Sequence, residues 1–237
     1  MELKKIAFFV EGYTEQEFVK KLLNEVFGKK NIQIEIKEVK GGSRSTVAVT
    51  TLESPDENEG AKYYVLIYNC NGDGSIKSYI LDQRTGLINA GYRKIVGLRD
   101  VYPIDRADIH KLITGLKFKV PQKEIPISFV LSIMEVEAWF LSDENHYEQI
   151  DANLTTQHVI DNFGFNPEEY NTELIDEPAK MLHDIYQSVG KAYSKTQNSI
   201  NRTIRSLDCG NIYLAVQHRI NSLNELVQEI EQIFEEN

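Results

Sequence analysis

Two hydrophobic rhythms share this chain, one of period two or nearly continuous, the other of helical period. Residues 4–12, Lys-Lys-Ile-Ala-Phe-Phe-Val-Glu-Gly, hold a nearly continuous apolar run, the pattern of a strand buried on both faces. Phe18, Leu22, Leu23 and Val26 follow at helical spacing, and Thr14-Glu15-Gln16-Glu17 ahead of them fits a capping box with Thr14 as its first residue. Ile32-Gln33-Ile34-Glu35-Ile36 alternates strictly and predicts a strand with one exposed face, closed by Gly41-Gly42-Ser43. Residues 53–61 are polar and read as a loop. Residues 63–68 form another apolar run that stops at the turn-rich stretch 69–74, and a helix is expected over 75–89. Strands follow at 93–98 and 127–133 with a helix at 106–116 between them, and residues 134–141 read as the start of a helix.

This alternation predicts an α/β fold, a largely parallel sheet flanked by helices. Beyond about residue 145 helical patterns dominate. A helix is expected over 178–189, with Pro178 in its first turn, and another over 212–235. In the latter, Val216, Ile220, Leu223, Val227, Ile230 and Phe234 are spaced by fours and threes, a seam that suits either the core or a homodimer contact. The expected division is an α/β domain over 1–145 and a helical subdomain over 146–237.

Composition narrows the functional classes. The 237 residues are 41% hydrophobic and 26% charged, ordinary globular usage that excludes a disordered or low-complexity chain. No apolar run is long enough to cross a bilayer and no cleavable signal pattern opens the chain, so the expectation is a cytoplasmic protein without a membrane partner. Cys70 and Cys209 are too few for a disulfide framework or a cysteine zinc site. The net charge of −10 is uneven: residues 1–100 carry 15 cationic against 14 anionic side chains, and residues 101–237 carry 11 against 22. Sequence-blind coating of nucleic acid needs a broad cationic field and is disfavoured, whereas a compact enzyme with a metal-shielded acidic site is allowed.

In open α/β sheets ligands bind beyond the carboxyl ends of the strands, which gives acids placed there particular weight. Glu11 follows the first strand, Asp100 ends the 93–98 strand, and Glu135 and Glu137 lie just past the 127–133 strand. Carboxylates converging on one rim are expensive to ionise together without a cation, and an all-oxygen donor set suits Mg²⁺ or Mn²⁺. Glu135 and Glu137 are two apart, so an extended segment would point both the same way and a helix would separate them, leaving Glu137 only narrowly preferred. Glu15 and Glu17 read as helix-start acids. His110, His146, His158, His183 and His218 show no metal-ligand spacing, and Gly72-Asp73-Gly74 lacks the Gly-Lys-Ser/Thr of a phosphate loop, which leaves any ATPase to a partner protein.

Val10-Glu11-Gly12 followed by Thr14-Glu15 resembles the opening motif of Toprim domains, especially those of overcoming-lysogenization-defect nucleases. Residues 98–103 (Leu-Arg-Asp-Val-Tyr-Pro) and 134–143 (Met-Glu-Val-Glu-Ala-Trp-Phe-Leu-Ser-Asp), then Glu177-Pro178-Ala179-Lys180 and Tyr193-Ser194-Lys195, are similar to blocks of a Toprim-like family of unknown function associated with phage-defence and restriction loci. The resemblance implies a Toprim-like sheet and a Mg²⁺- or Mn²⁺-dependent nuclease acting on DNA or RNA in a bacterial defence system. It also implies that Glu11 is the Toprim glutamate, an acid, base or metal ligand, with Glu11, Asp100 and Glu137 catalytic. The usual Asp-x-Asp motif is absent: Asn69-Cys70-Asn71 replaces both acids, with Asp73 nearby, and Asp100 stands alone unless Asp105 folds back. That departure sustains an alternative, a non-catalytic binding or effector subunit acting through its helical region. For a polyanionic substrate the expected contacts are a basic island, Lys191, Lys195, Arg202 and Arg205, with Tyr193 stacking on a base; the plainer reading is a solvated face paired with acids elsewhere.

Overall fold

A computed structural model describes residues 3–40, 48–56, 58–72 and 75–235. The strands are β1 (Lys4–Val10), β2 (Ile32–Lys40), β3 (Ala48–Glu53), β4 (Tyr63–Asn69), β5 (Tyr92–Asp100) and β6 (Ile127–Ser132), in sheet order β3-β2-β4-β1-β5-β6. The pairs β2·β4, β4·β1 and β1·β5 are parallel, and β3 runs antiparallel to β2 at one edge. Helices α1 (Tyr13–Phe27), α2 (Ile76–Asn89) and α3 (Ile109–Lys117) connect the strands; α4 (Glu137–Leu141), α5 (His146–Ile150), α6 (Thr156–Phe163), α7 (Pro178–Gln187), α8 (Gln197–Ser206), α9 (Cys209–Leu214) and α10 (Asn221–Glu235) follow. The architecture is the mostly parallel α/β sheet flanked by helices, with a helical C-terminal region, that the patterning predicts. Among the described residues no helix is long and apolar enough to cross a membrane.

Packing divides the chain into two units. The first comprises residues 1–99, 108–131 and 229–237; the second comprises 100–107 and 132–228, and the expected boundary near 145 falls inside it. In the first unit the apolar runs of β1, β4 and β5 are buried together with Phe18, Leu22 and Leu23 of α1. Burial on both faces explains why those strands read as unbroken runs, while β2 shows the strict alternation of a half-covered strand. Gly97 in β5 is required by packing, since a Cβ there would lie 2.8 Å from the Phe129 ring and 3.1 Å from Ile80. In the second unit Trp139, Phe140, Tyr147, Leu182, Tyr186 and Leu223 are fully buried, and the Trp139 indole donates to the Ser222 hydroxyl at 2.8 Å.

Several local expectations are revised. Helix α1 starts at Tyr13 with Gly12 as N-cap, and Glu15, not Glu17, accepts the Gly12 N–H at 2.8 Å. The residues Gly41–Ser43 expected to close β2, and Asp73, lie outside the described residues. Strand β3 was not foreseen, because all six of its residues are exposed and it has no buried face to announce it. The single helix expected over 212–235 is broken into α9, a short 3-10 turn at Val216–His218, and α10. Its seam residues Val216, Ile220, Leu223, Val227 and Ile230 are each 0% exposed within this one chain, so the seam serves its own core. Cys70 and Cys209 are buried and are not joined in a disulfide.

Candidate metal centre

The second unit gathers the acids that its strand ends and turns present. Asp100 is the last residue of β5 and is 5% exposed; its Oδ1 accepts the Ser132 hydroxyl from the end of β6 and the Val136 N–H at 3.1 Å. Between β6 and α4 the chain turns through Met134, whose φ of 62° lies in the left-handed region that residues with a Cβ rarely adopt. That turn, closed by Glu135 N–H to the Ile133 carbonyl at 3.1 Å and Ala138 N–H to the Glu135 carbonyl at 3.0 Å, is neither strand nor helix at Glu135. It brings Glu135 and the first residue of α4, Glu137, to the same place despite their spacing of two. One carboxylate oxygen from each of Asp100, Glu135 and Glu137 lies within 4.8 Å of the others.

Each carboxylate is held differently. Glu135 Oε2 accepts the N–H of Ala179, in the first turn of α7, at 3.0 Å, a favourable place for an anion at a helix start. Glu135 Oε1 lies 3.5 Å from the Lys195 ammonium. Glu137 is 0% exposed; its Oε1 accepts the Tyr193 hydroxyl at 2.5 Å and lies 2.6 Å from Lys195 Nζ. Its Oε2 is buried and has no hydrogen-bond partner among the described residues. His183 Nδ1, 2.7 Å from the Tyr193 carbonyl oxygen, ties down the loop that carries Tyr193. Burial works against a charged Lys195, but Glu137, Glu135 and Asp100 outweigh it and hold its pKa above the ordinary value.

The three carboxylates share the Lys195 ammonium, and among the described residues Glu137 retains a buried oxygen without a donor. Buried anions in this state are costly without a further cation. The donor set is entirely carboxylate oxygen, so these residues fit a hard metal ion.

Glu11 belongs to the first unit, in the turn between β1 and α1, where its carbonyl accepts the Gly72 N–H at 2.9 Å. Burial, and then the Glu11 charge, push the neighbouring Cys70 thiol up to about 12. The amides that replace an Asp-x-Asp pair are fastened structurally. Asn69 donates to Gln16 Oε1 at 2.9 Å and accepts the Asn71 N–H at 3.0 Å, and Asn71 donates to the Val39 carbonyl at 2.6 Å. Asp105 does not turn back towards Asp100; it accepts the Ala107 N–H at 2.8 Å at the head of a short 3-10 turn.

The basic island is not one surface. Lys191 lies 3.7 Å from Asp151, and Lys195 is on the acids, in the loop before α8, so it shares no helical face with Arg202 and Arg205. Tyr193 is 3% exposed, its ring covered rather than offered to a base. Arg202 donates to the Ala192 carbonyl and stacks 5.9 Å from the Tyr186 ring centre. Arg202 and Arg205 alone come together, lining a hollow of about 380 Å³ with Gln149, Asn198, Asn201 and Ser206. Patterning missed the Ala179 N–H and Lys195 as partners of the acids; the one hint was that residues 98–103, 134–143, 177–180 and 193–195 stand out as separate blocks.

Fold and cluster define the class: a mostly parallel α/β protein with a buried, carboxylate-only candidate metal centre past its strand ends. The chain belongs to the family described as a domain of unknown function, DUF4276, whose model matches residues 10–218. No curated protein matches the sequence. A solved structure described as a "putative cell surface hydrolase" from Lactobacillus plantarum WCFS1 aligns over 98% of this chain and 91% of that one, at 12% identity and a TM-score of 0.29, a likeness on which nothing is built.

Proposed function

We propose that this protein is a divalent-metal-dependent hydrolase of phosphodiester bonds, a nuclease of the kind the Toprim resemblance implies, with Mg²⁺ or Mn²⁺ held by Asp100, Glu135 and Glu137. The observation that carries this reading is the convergence of three carboxylates within 4.8 Å, one of them fully buried with an oxygen that lacks a donor. A bound divalent ion would supply Lewis-acid neutralisation of the phosphate and a lowered pKa for a coordinated water. The protein's own share is orientation and proton handling. Ser132 and the Val136 N–H fix Asp100, Ala179 fixes Glu135, and Tyr193 fixes Glu137, so the donors are set before any ligand arrives. Glu135 is the least buried acid of the three, and a carboxylate oxygen left free of the ion would handle the proton. The resemblance gives Glu11 an acid, base or metal role, which Glu11→Gln tests by itself. A defence setting and a partner ATPase rest on the resemblance alone.

The test is calorimetric titration of Mn²⁺ into wild type and Glu137→Gln, with single- and double-stranded DNA and RNA oligonucleotides assayed alongside. We expect Mn²⁺ binding that weakens by about tenfold or more in the variant, and cleavage that disappears with it. Equal affinity in both proteins would overturn the site. The second reading, a non-catalytic binding or effector subunit, is favoured by Asn69 and Asn71, whose amides are committed to structural hydrogen bonds. Metal binding without cleavage of any oligonucleotide is its signature.

A further inference from the structure

We propose that Lys195 is the resident cation of the acidic cluster, and that a divalent ion enters by displacing its ammonium from Glu135 and Glu137. The inference rests on the metal reading above and concerns how that site is filled. The ammonium lies 2.6 Å from Glu137 Oε1 and 3.5 Å from Glu135 Oε1, between two of the three groups that the cluster offers as ligands. A metal ion that draws on those two acids meets a positive charge already in place, and at such separations in a poorly solvated site like charges exclude one another.

Which partner gives way follows from burial. The Glu137 side chain is 0% exposed and cannot follow a departing cation, whereas the Lys195 side chain is 48% exposed on a loop without regular structure. Lys195 can therefore turn its head into water at little cost, and Glu137 cannot be left behind without a replacement charge. Departure of one cation and arrival of the other are thus coupled. Tyr193 need not move: its buried ring and the His183 contact to its carbonyl keep the hydroxyl on Glu137 Oε1 during the exchange. Whatever weakens the lysine's hold then strengthens the metal's.

The experiment is acetylation of the full chain by a water-soluble N-hydroxysuccinimide ester, with and without saturating Mg²⁺, read by peptide mass spectrometry with exposed Lys123 as internal reference. Alongside it, Mn²⁺ is titrated into wild type and Lys195→Met. We expect Lys195 to be modified slowly without metal and about fivefold or more faster with Mg²⁺, while Lys123 does not change, and Lys195→Met to bind Mn²⁺ about tenfold more tightly. Binding seen only in Lys195→Met would support displacement in its strongest form. Metal binding with Lys195 labelling unchanged would overturn the displacement and leave the metal centre standing. No binding in either protein would overturn both. The labelling arm uses wild type alone, so it decides the question even where the variant folds poorly.

Discussion

Glu137 shows how much one residue can be asked to do: it opens α4, takes a hydroxyl and an ammonium on one oxygen, and keeps the other buried without a donor. Removing the hydroxyl isolates one of these duties. Tyr193→Phe keeps the ring in its buried place and deletes the 2.5 Å bond to a buried charge, so it should cost about 1–3 kcal/mol in urea unfolding with an unchanged m-value. Glu135→Gln and Glu137→Gln should differ. An amide at 135 can still accept the Ala179 N–H, so stability should hardly move, whereas an amide at 137 breaks the closest ion pair of the cluster and should weaken Mn²⁺ binding more in calorimetry. The acids themselves were legible because strand ends are legible. Their geometry was not, because the choice between strand and helix at 135–137 omitted a third option, a turn through the left-handed Met134. Lys195 was legible as a cation but not as their partner, since a pair separated by about sixty residues leaves no trace in local spacing.

At the scale of elements, burial on one face or both is what sequence rhythm reports. β1, β4, β5 and β2 could therefore be read, and the wholly exposed β3 could not. The break before α10 was hidden for the opposite reason: Val216 in the 3-10 turn and Ile220 beyond it are as buried as the helix residues, so the four-three spacing runs through a segment that is not helix. Packing between elements gives a sharp test at β5. Gly97→Ala drives a methyl to 2.8 Å from the Phe129 ring, and its neighbours or the strand must shift to admit it, at a cost of about 1–3 kcal/mol measurable as a lowered Tm.

At the scale of the whole molecule, two buried neighbours bias stability against pH in opposite directions. Burial pushes Asp143 up to about 6, against bonds from the Asp208 N–H and Asn211 that pull it down. Burial pushes His146, whose Nδ1 lies 2.6 Å from the Asp143 carbonyl oxygen, down to about 4. Between the unfolded value of Asp143, 3.8, and its folded value of about 6, the folded chain binds the extra proton, so this group favours folding in acid and loses that advantage as pH rises. Between about 4 and 6.5 the unfolded chain binds the extra proton at His146, so this group favours folding at neutral pH and loses that advantage in acid. Each slope is worth about 3 kcal/mol across its window, and the two nearly cancel. His146→Gln should therefore gain stability relative to wild type as pH falls from 6 to 4, and Asp143→Asn should lose it, as read by denaturant unfolding at each pH. Identical pH profiles in all three proteins would show that the two groups are not buried as described. The division into units was illegible for a related, global reason: composition changes once, near residue 145, whereas the chain passes between units four times.

The sheet-bearing unit draws on the second half of α10. Lys94 in β5 is 6% exposed, and its ammonium is met by Glu229 at 2.5 Å and by Gln232, both in α10; Lys4 in β1 reaches the Ile233 carbonyl at 3.4 Å. A chain emerging from the ribosome builds β1 and β5 long before it supplies those partners, so Lys94 waits in a half-made core until α10 is synthesised. Order of synthesis thus sets a condition on folding. Nascent chains stalled before residue 229 should remain protease-sensitive in their N-terminal half, and those long enough to expose all of α10 should be resistant.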